Sequence, residues 1–211
     1  MIDHLKSAII LAGGQSRRMG QPKPALRFGN YTILEGLIAK LRDNFDDIVV
    51  IAAPERAESF PIARLLSTAP SSVRLLRDFA AYQGAAVALA RGLAAIRHEV
   101  AFACSCDLPL LQIGVVLALH GMLKGFEAVI PHVGGQSHPL CAFYRRTVAT
   151  VLEKQLTVGE RRLTRITAGL SAYHPGDLQL RKIDPELRSF INVNIPEDYN
   201  RALAIFSRTN P

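Results

Sequence analysis

Short apolar runs alternate along this chain with longer stretches of helical periodicity, and that alternation restricts the fold more than any other feature. Ser7–Leu11, Ile48–Ala52, Val73–Leu76, Val100–Cys104 and Ala128–Pro131 read as strands, and Thr32–Arg42, Gly84–Arg97 and Leu111–Lys124 between them read as helices. In the last of these, Val115, Leu119, Met122 and Leu123 recur at helical spacing. Such a pattern builds a parallel sheet joined by crossover helices. Further helices are expected from about Arg146 to Gln155 and after Pro196, the second with Tyr199, Leu203 and Phe206 on one side.

The rhythm changes after residue 125. Glu127–Val133 and Pro139–Arg145 flank the turn-forming Gly134-Gly135-Gln136-Ser137, which predicts an antiparallel hairpin. The segment Arg56–Ser72, with Pro61, Pro70 and several serines, reads as loop with a short helix. No linker separates domains. The expected architecture is a single domain over 1–211, a three-layer Rossmann-like α/β fold with a mostly parallel sheet and an antiparallel hairpin excursion.

Composition narrows the function classes. Three cysteines cannot form a disulfide framework, and an odd count suits a reducing cytosol. The uncharged stretch at residues 108–123 is broken by Pro109, Gln112, Gly114 and His120, so it is a poor membrane span. The short N-terminal apolar run leads straight into Gly13-Gly14 and does not resemble a signal peptide. A cytoplasmic protein is expected. The net charge of +7 suits anionic partners such as nucleotides or phosphorylated metabolites, and equally a merely soluble basic surface. The basic residues are dispersed, no aromatic-interleaved stripe or zinc-finger spacing is present, and there is no Trp, which disfavours nucleic acid.

The most informative stretch runs from Leu11 to Lys23, Leu-Ala-Gly-Gly-Gln-Ser-Arg-Arg-Met-Gly-Gln-Pro-Lys, directly after the first strand. Ligands of open α/β sheets bind at that edge. Adjacent glycines let backbone N–H groups approach phosphate oxygens, and Arg17, Arg18 and Lys23 add positive charge beside them. The spacing is neither that of a Walker loop nor of a dinucleotide fingerprint. The alternative is a glycine-rich turn with solvated arginines.

This stretch resembles the signature LAGGxSxRMGxxKxxL of the MobA-like nucleotidyltransferases, here completed by Leu26, and within them the molybdenum cofactor guanylyltransferases. The resemblance extends in order to the C-terminus. Asp78 precedes Gln83-Gly84-Ala85-Ala86, where the family has a Gly-Pro-Leu-Ala-Gly-like helix start. Cys106-Asp107-Leu108-Pro109 matches the family's metal-binding Asp at a strand end. His138-Pro139-Leu140 and Asn192-Val193-Asn194-Ile195-Pro196-Glu197-Asp198 match its later motifs. The departures are Ala85–Ala88 at that helix start, Ile51-Ala52-Ala53 where the family often has Asn, and Gln21-Pro22 where an acidic residue usually precedes Lys.

The resemblance implies Mg²⁺-dependent transfer of GMP from GTP to the terminal phosphate of molybdopterin or Mo-molybdopterin, with pyrophosphate released. Arg18, Lys23 and Asp107 would then be catalytic, and Asp107 the metal ligand. Leu11, Ala12, Gly13, Gly14, Lys23, Asp78 and Asp107 would hold the nucleotide, and Asn192 and Asn194 the acceptor. By its residues alone, Asp107 offers Mg²⁺ a hard oxygen or else caps the helix that follows. Asp78 can accept from guanine N1–H and its N2 amine, or cap a loop. Gly13 favours guanine, because related cytidylyltransferases read LAAG there. Asn192 and Asn194 alternate on one face of an extended segment, and Asn194 is equally placed to cap the helix opened by Pro196.

His138 reads as a hairpin-end hydrogen-bonding residue, Cys104 and Cys106 as core or near-site thiols, and Arg161-Arg162 as a solvated helix face or an anion contact. No spacing for a zinc site or a covalent nucleophile is present. A phosphate monoester is already anionic and needs no general base, so the chemistry asks only for alignment and charge neutralisation. The alternatives are a cytidylyltransferase or other small-molecule nucleotidyltransferase of the same family, and a non-catalytic nucleotide-binding module. The oligomeric state is open; a monomer suffices for this chemistry.

Overall fold

A computed structural model of the chain describes residues 7–14, 16, 18–57, 60–80 and 83–209. Its centre is a seven-stranded sheet made of β1 (Ser7–Leu11), β4 (Asp47–Ala52), β5 (Val73–Arg77), β6 (Val100–Ser105), β7 (Ala128–Val129), β10 (Cys141–Arg145) and β11 (Ala172–Tyr173). The spatial order is β11-β7-β10-β6-β1-β4-β5. β1 pairs parallel with both β4 and β6, from Ser7↔Asp47 and Ser7↔Ala101 onward. Only β10 runs antiparallel to its neighbours β6 and β7. The remaining strands form two small ribbons, β2 (Arg27–Phe28) with β3 (Tyr31–Thr32) and β8 (His132–Val133) with β9 (Gln136–Ser137).

Alternation along the strands sends the core to both faces. Ala8, Ile10, Ile48, Val50, Phe102, Cys104 and Phe143 meet α1 (Ile33–Leu41), α4 (Ile113–Gly121) and α8 (Pro196–Thr209) on one face. Ile9, Leu11, Val49, Ile51, Ala101 and Tyr144 meet α3 (Ala85–Ala95), α5 (Val148–Thr157) and α6 (Leu163–Thr167) on the other. The result is the expected three-layer, mostly parallel α/β fold. Smaller helices α2 (Ile62–Leu65) and α7 (Asp177–Leu180) sit in the connections.

Local signals explain the elements that frame the site. Thr32 caps α1 through a reciprocal pair: its hydroxyl accepts from the Glu35 amide at 3.2 Å, and the Glu35 carboxylate accepts from the Thr32 amide at 2.7 Å. Ile33, Leu34, Leu37, Ile38 and Leu41 form the buried face of that helix. In α3, Gly92 allows close approach to the sheet, since a Cβ there would lie 2.7 Å from Ile9.

One expectation needs correction. The turn is only Gly134-Gly135, both at positive φ (58° and 74°), while Gln136 and Ser137 belong to β9. The expected antiparallel part is present: β7 and β10 pair antiparallel, and β10 lies between β7 and β6 in the main sheet with its Cys141–Tyr144 stretch fully buried. Among the described residues no helix is long and apolar enough to cross a membrane.

Candidate active site

The chain leaves β1 toward α1 and β4 on one side, and later reaches β6 on β1's other side. The connections therefore diverge at the carboxyl ends of β1 and β6, where open sheets form their crevice. A cleft of about 480 Å³ lies there, bounded by the loop after β1, the loop after β6, the start of α3 and Asn194. Backbone bonds fix these walls: Ala12 N–H to Ile51 O at 2.8 Å, Cys106 N–H to Leu11 O at 3.1 Å, and Asp78 N–H to Ala52 O at 2.8 Å.

Gly13 and Gly14 have different reasons to be glycine. A Cβ on Gly13 would meet the Ala53 amide nitrogen at 3.2 Å, so the loop lies tight against the end of β4. At Gly14 nothing stands within 4 Å, so its backbone is open to the cleft. The loop then turns at Ser16, which takes a left-handed φ of 46°. The Ser16 carbonyl accepts from the Met19 amide (2.8 Å), and its hydroxyl accepts from the Lys23 amide (3.1 Å). Ser16 thereby folds the basic segment back, so that Arg18 and Lys23 both line the cleft. Gln15 and Arg17 lie outside the described residues.

The Lys23 ammonium donates to Asn194 Oδ1 at 2.7 Å and stands 3.6 Å from Asp107 Oδ2. Ser105 donates its hydroxyl to Asp107 Oδ1. Asp107 does not cap the next helix, because α4 begins at Ile113 with Gln112 at its cap position. Among the described residues no group of three or more His, Cys, Asp or Glu can cage a metal. Asp107, its side chain 22% exposed, offers the cleft a carboxylate beside the Lys23 ammonium. That suits Mg²⁺ arriving on a polyphosphate, which needs only one or two protein carboxylates.

Asp78 also lines the cleft, and its Oδ1 is buried with no hydrogen-bond partner among the described residues. Burial pushes its carboxyl above the usual range, with the Arg91 charge pulling the other way. An unmet buried acceptor beside a cleft is costly unless a ligand completes it. Arg91 itself lies over the exposed Phe79 ring, 3.7 Å from its centroid.

Of the two asparagines, only Asn194 lines the cleft. Its Oδ1 is engaged by Lys23, and the cap of α8 falls to Asp198, whose Oδ2 accepts from the Asn194 and Ile195 amides (3.1 and 3.3 Å). Asn192 is half-buried and does not line the cleft. His138 bonds through its backbone to Pro131 O, and its ring meets Phe190 edge-on. The Cys104 and Cys106 thiols are buried, which drives both upward and leaves them protonated. Arg161, exposed, reaches the Gln83 carbonyl on the cleft rim at 3.5 Å. Ser16, Ser105 and Gln83 also line the cleft. A carbonyl-side Ser two residues before an Asp carries no sequence signal of its own; Ser16, a fixed letter of the glycine-loop signature, did.

The profile of the MobA-like NTP transferase domain matches residues 8–175. The chain belongs to that family. It is 30% identical over 200 residues to a molybdenum cofactor guanylyltransferase of Desulfosudis oleivorans, with 94% of each chain covered. A solved molybdopterin-guanine dinucleotide biosynthesis protein A from Archaeoglobus fulgidus superposes with a TM-score of 0.80 at 25% identity, covering 96% of this chain and 100% of that one. The 4-diphosphocytidyl-2C-methyl-D-erythritol synthase of Anaerococcus prevotii shares the fold at a TM-score of 0.75 and 16% identity, covering 98% of each. The protein is a nucleotidyltransferase, and its glycine loop and Asp107 line one cleft.

Proposed function

We propose that this MobA-like enzyme is a molybdenum cofactor guanylyltransferase, transferring GMP from GTP to the terminal phosphate of molybdopterin or Mo-molybdopterin in the cytoplasm, the whole chain acting as one domain. The observation that carries the reading is the convergence of the glycine loop, the Lys23 ammonium and the Asp107 carboxylate on one cleft at the sheet's switch point. An acceptor phosphate oxygen forms the new bond to the α-phosphorus, and the bond to the leaving pyrophosphate breaks. Gly13 and Gly14 present backbone to the phosphates, while Lys23 and Arg18 meet the charge that develops on pyrophosphate. Mg²⁺, held by Asp107, supplies further neutralisation of the polyphosphate when bound. Leu11 and Ala12 form the floor beneath the nucleotide, and Asn194 stands beside Lys23 on the acceptor side; Asn192 would reach the acceptor only from outside the cleft as it stands.

The unmet Asp78 oxygen supports guanine as the base. A carboxylate accepts from both N1–H and the N2 amine of guanine, a donor pair that cytosine and adenine lack. The test is a pyrophosphate-release assay in which four nucleoside triphosphates compete for one molybdopterin acceptor. GTP is expected to be preferred by about a hundredfold, and Asp78→Ala to abolish most of that preference. Equal use of CTP would instead assign the cytidylyl reaction, and GTP preference surviving Asp78→Ala would remove Asp78 as the base reader.

A further inference from the structure

Lys40 lies on α1 and does not line the cleft, yet its ammonium donates to the Pro109 carbonyl at 2.7 Å, a contact between residues 69 apart in sequence. Pro109 is buried and follows Asp107 by two residues. The loop that carries Asp107 out of β6 is fixed at two other points by backbone alone. The Cys106 amide bonds to Leu11 O of β1 at 3.1 Å, and the Asp107 carbonyl accepts from the Val193 amide at 2.8 Å. Beyond Asp107 two side chains hold the loop, Lys40 at the Pro109 carbonyl and, farther on, the Ser189 hydroxyl, which accepts from the Gln112 amide at 3.0 Å.

Mere packing does not call for a lysine at this place. Burial lowers its pKa to about 8. An apolar side chain of similar volume would remove that desolvation penalty, and such exchanges are often neutral or stabilising. What an apolar side chain cannot do is hold the Pro109 carbonyl.

We propose that Lys40 is a positioning residue, which fixes the Pro109 carbonyl and through it the place of the Asp107 carboxylate in the cleft. The inference rests on the reading of Asp107 as the carboxylate that serves the reaction. Displacement of a reacting group by about 1 Å is enough to cost two orders of magnitude in rate.

The test compares wild type, Lys40→Met and Asp107→Asn by pyrophosphate release from GTP, by magnesium titration, by thermal melting and by amide hydrogen exchange. Lys40→Met is expected to melt within a few degrees of wild type, because loss of the buried charge offsets the orphaned carbonyl. Its kcat should fall about thirtyfold with KM for GTP little changed, and its magnesium midpoint should rise several-fold. Exchange at the Val193 amide, measured without nucleotide or metal, should quicken at least tenfold, since that bond reports the loop's place directly. If Asp107→Asn is inactive while Lys40→Met keeps wild-type kcat, magnesium midpoint and Val193 protection, the role of Lys40 is overturned and that of Asp107 stands. If Asp107→Asn is fully active, the reading of Asp107 itself falls. Lys40→Gln, one atom too short to reach Pro109, gives the same comparison should Lys40→Met not fold.

Discussion

At the amino edge of the sheet Asp47 is fully buried, and both its oxygens are engaged: Oδ2 by the Ser7 hydroxyl (2.5 Å) and the Arg97 amide (2.9 Å), Oδ1 twice by Arg74 (2.6 and 2.9 Å). At the carboxyl edge Asp107 keeps 22% of its side chain exposed, with a lysine 3.6 Å away, and Asp78 has an oxygen with no partner among the described residues. The same residue type therefore does two kinds of work at opposite ends of the same strands. Four donors around a buried carboxylate knit β1, β4, β5 and the turn into β6 together. At the other end the donors are left short of the demand, and the deficit is what a ligand can fill.

The sharpest way to break this comparison is at the amino edge. Asp47→Ala leaves the Arg74 guanidinium facing a buried gap and removes the join between three strands, so stability should fall by about 3–5 kcal/mol. Chemical denaturation measures it. The folded fraction should retain wild-type turnover per molecule; a loss of specific activity at full folding would mean that the two edges are coupled.

At the carboxyl edge the outcome should invert. Lys23→Ala and Asp107→Asn remove groups on a cleft wall, each side chain about one-fifth exposed (19% and 22%), and stability should change by about 1 kcal/mol or less. Turnover at saturating GTP should drop by about two to three orders of magnitude, with more magnesium needed by Asp107→Asn. Wild-type pyrophosphate release from folded Lys23→Ala would remove Lys23 from the chemistry.

Much of this contrast is legible in the residues, and the illegible part has physical causes. β1 runs over Ser7–Leu11 as its apolar run predicts, and α1 begins where Thr32 and Glu35 can cap it. These are local signals. The two-residue strands β2, β3 and β11 escape a reading by periodicity, since two residues have no period. The insertion of β10 into the sheet is a tertiary event, although the unbroken apolar run Cys141–Tyr144 does suit a strand buried on both faces. Strand alternation puts Asn192 and Asn194 on one face only if 191–194 is a ladder. The segment follows a 3₁₀ turn at Arg188–Phe190 and pairs with no strand, so the period of two does not govern it. The glycine loop and Asp107 stand out by type and place in sequence. Lys40 does not, because only the fold brings α1 to the loop after β6.

The smallest expected effect separates the two edges by sign. For Asp47, burial alone would raise the carboxyl, but Ser7, the Arg97 amide and Arg74 outweigh it and hold the group below its ordinary value of 3.8. Its contribution to stability is therefore complete above pH 3.8 and is lost as pH falls through the depressed folded value. For Asp78, burial prevails over the Arg91 charge and the folded carboxyl lies above 3.8. The folded protein then takes up a proton before the unfolded chain does, so this group's contribution to stability improves as pH falls from that raised value toward 3.8. Denaturation at a series of pH values from 7 to 3, run on wild type, Asp47→Asn and Asp78→Asn, isolates each contribution by difference. Asp47→Asn should flatten the acid limb, and Asp78→Asn should raise stability most near neutrality and least in acid. GTP preference should weaken on acidification sooner than the fold does, because a protonated Asp78 has lost an acceptor while Asp47 is still ionised. If both variants shift the stability curve in the same direction, the two edges do not differ in the way their hydrogen bonding indicates.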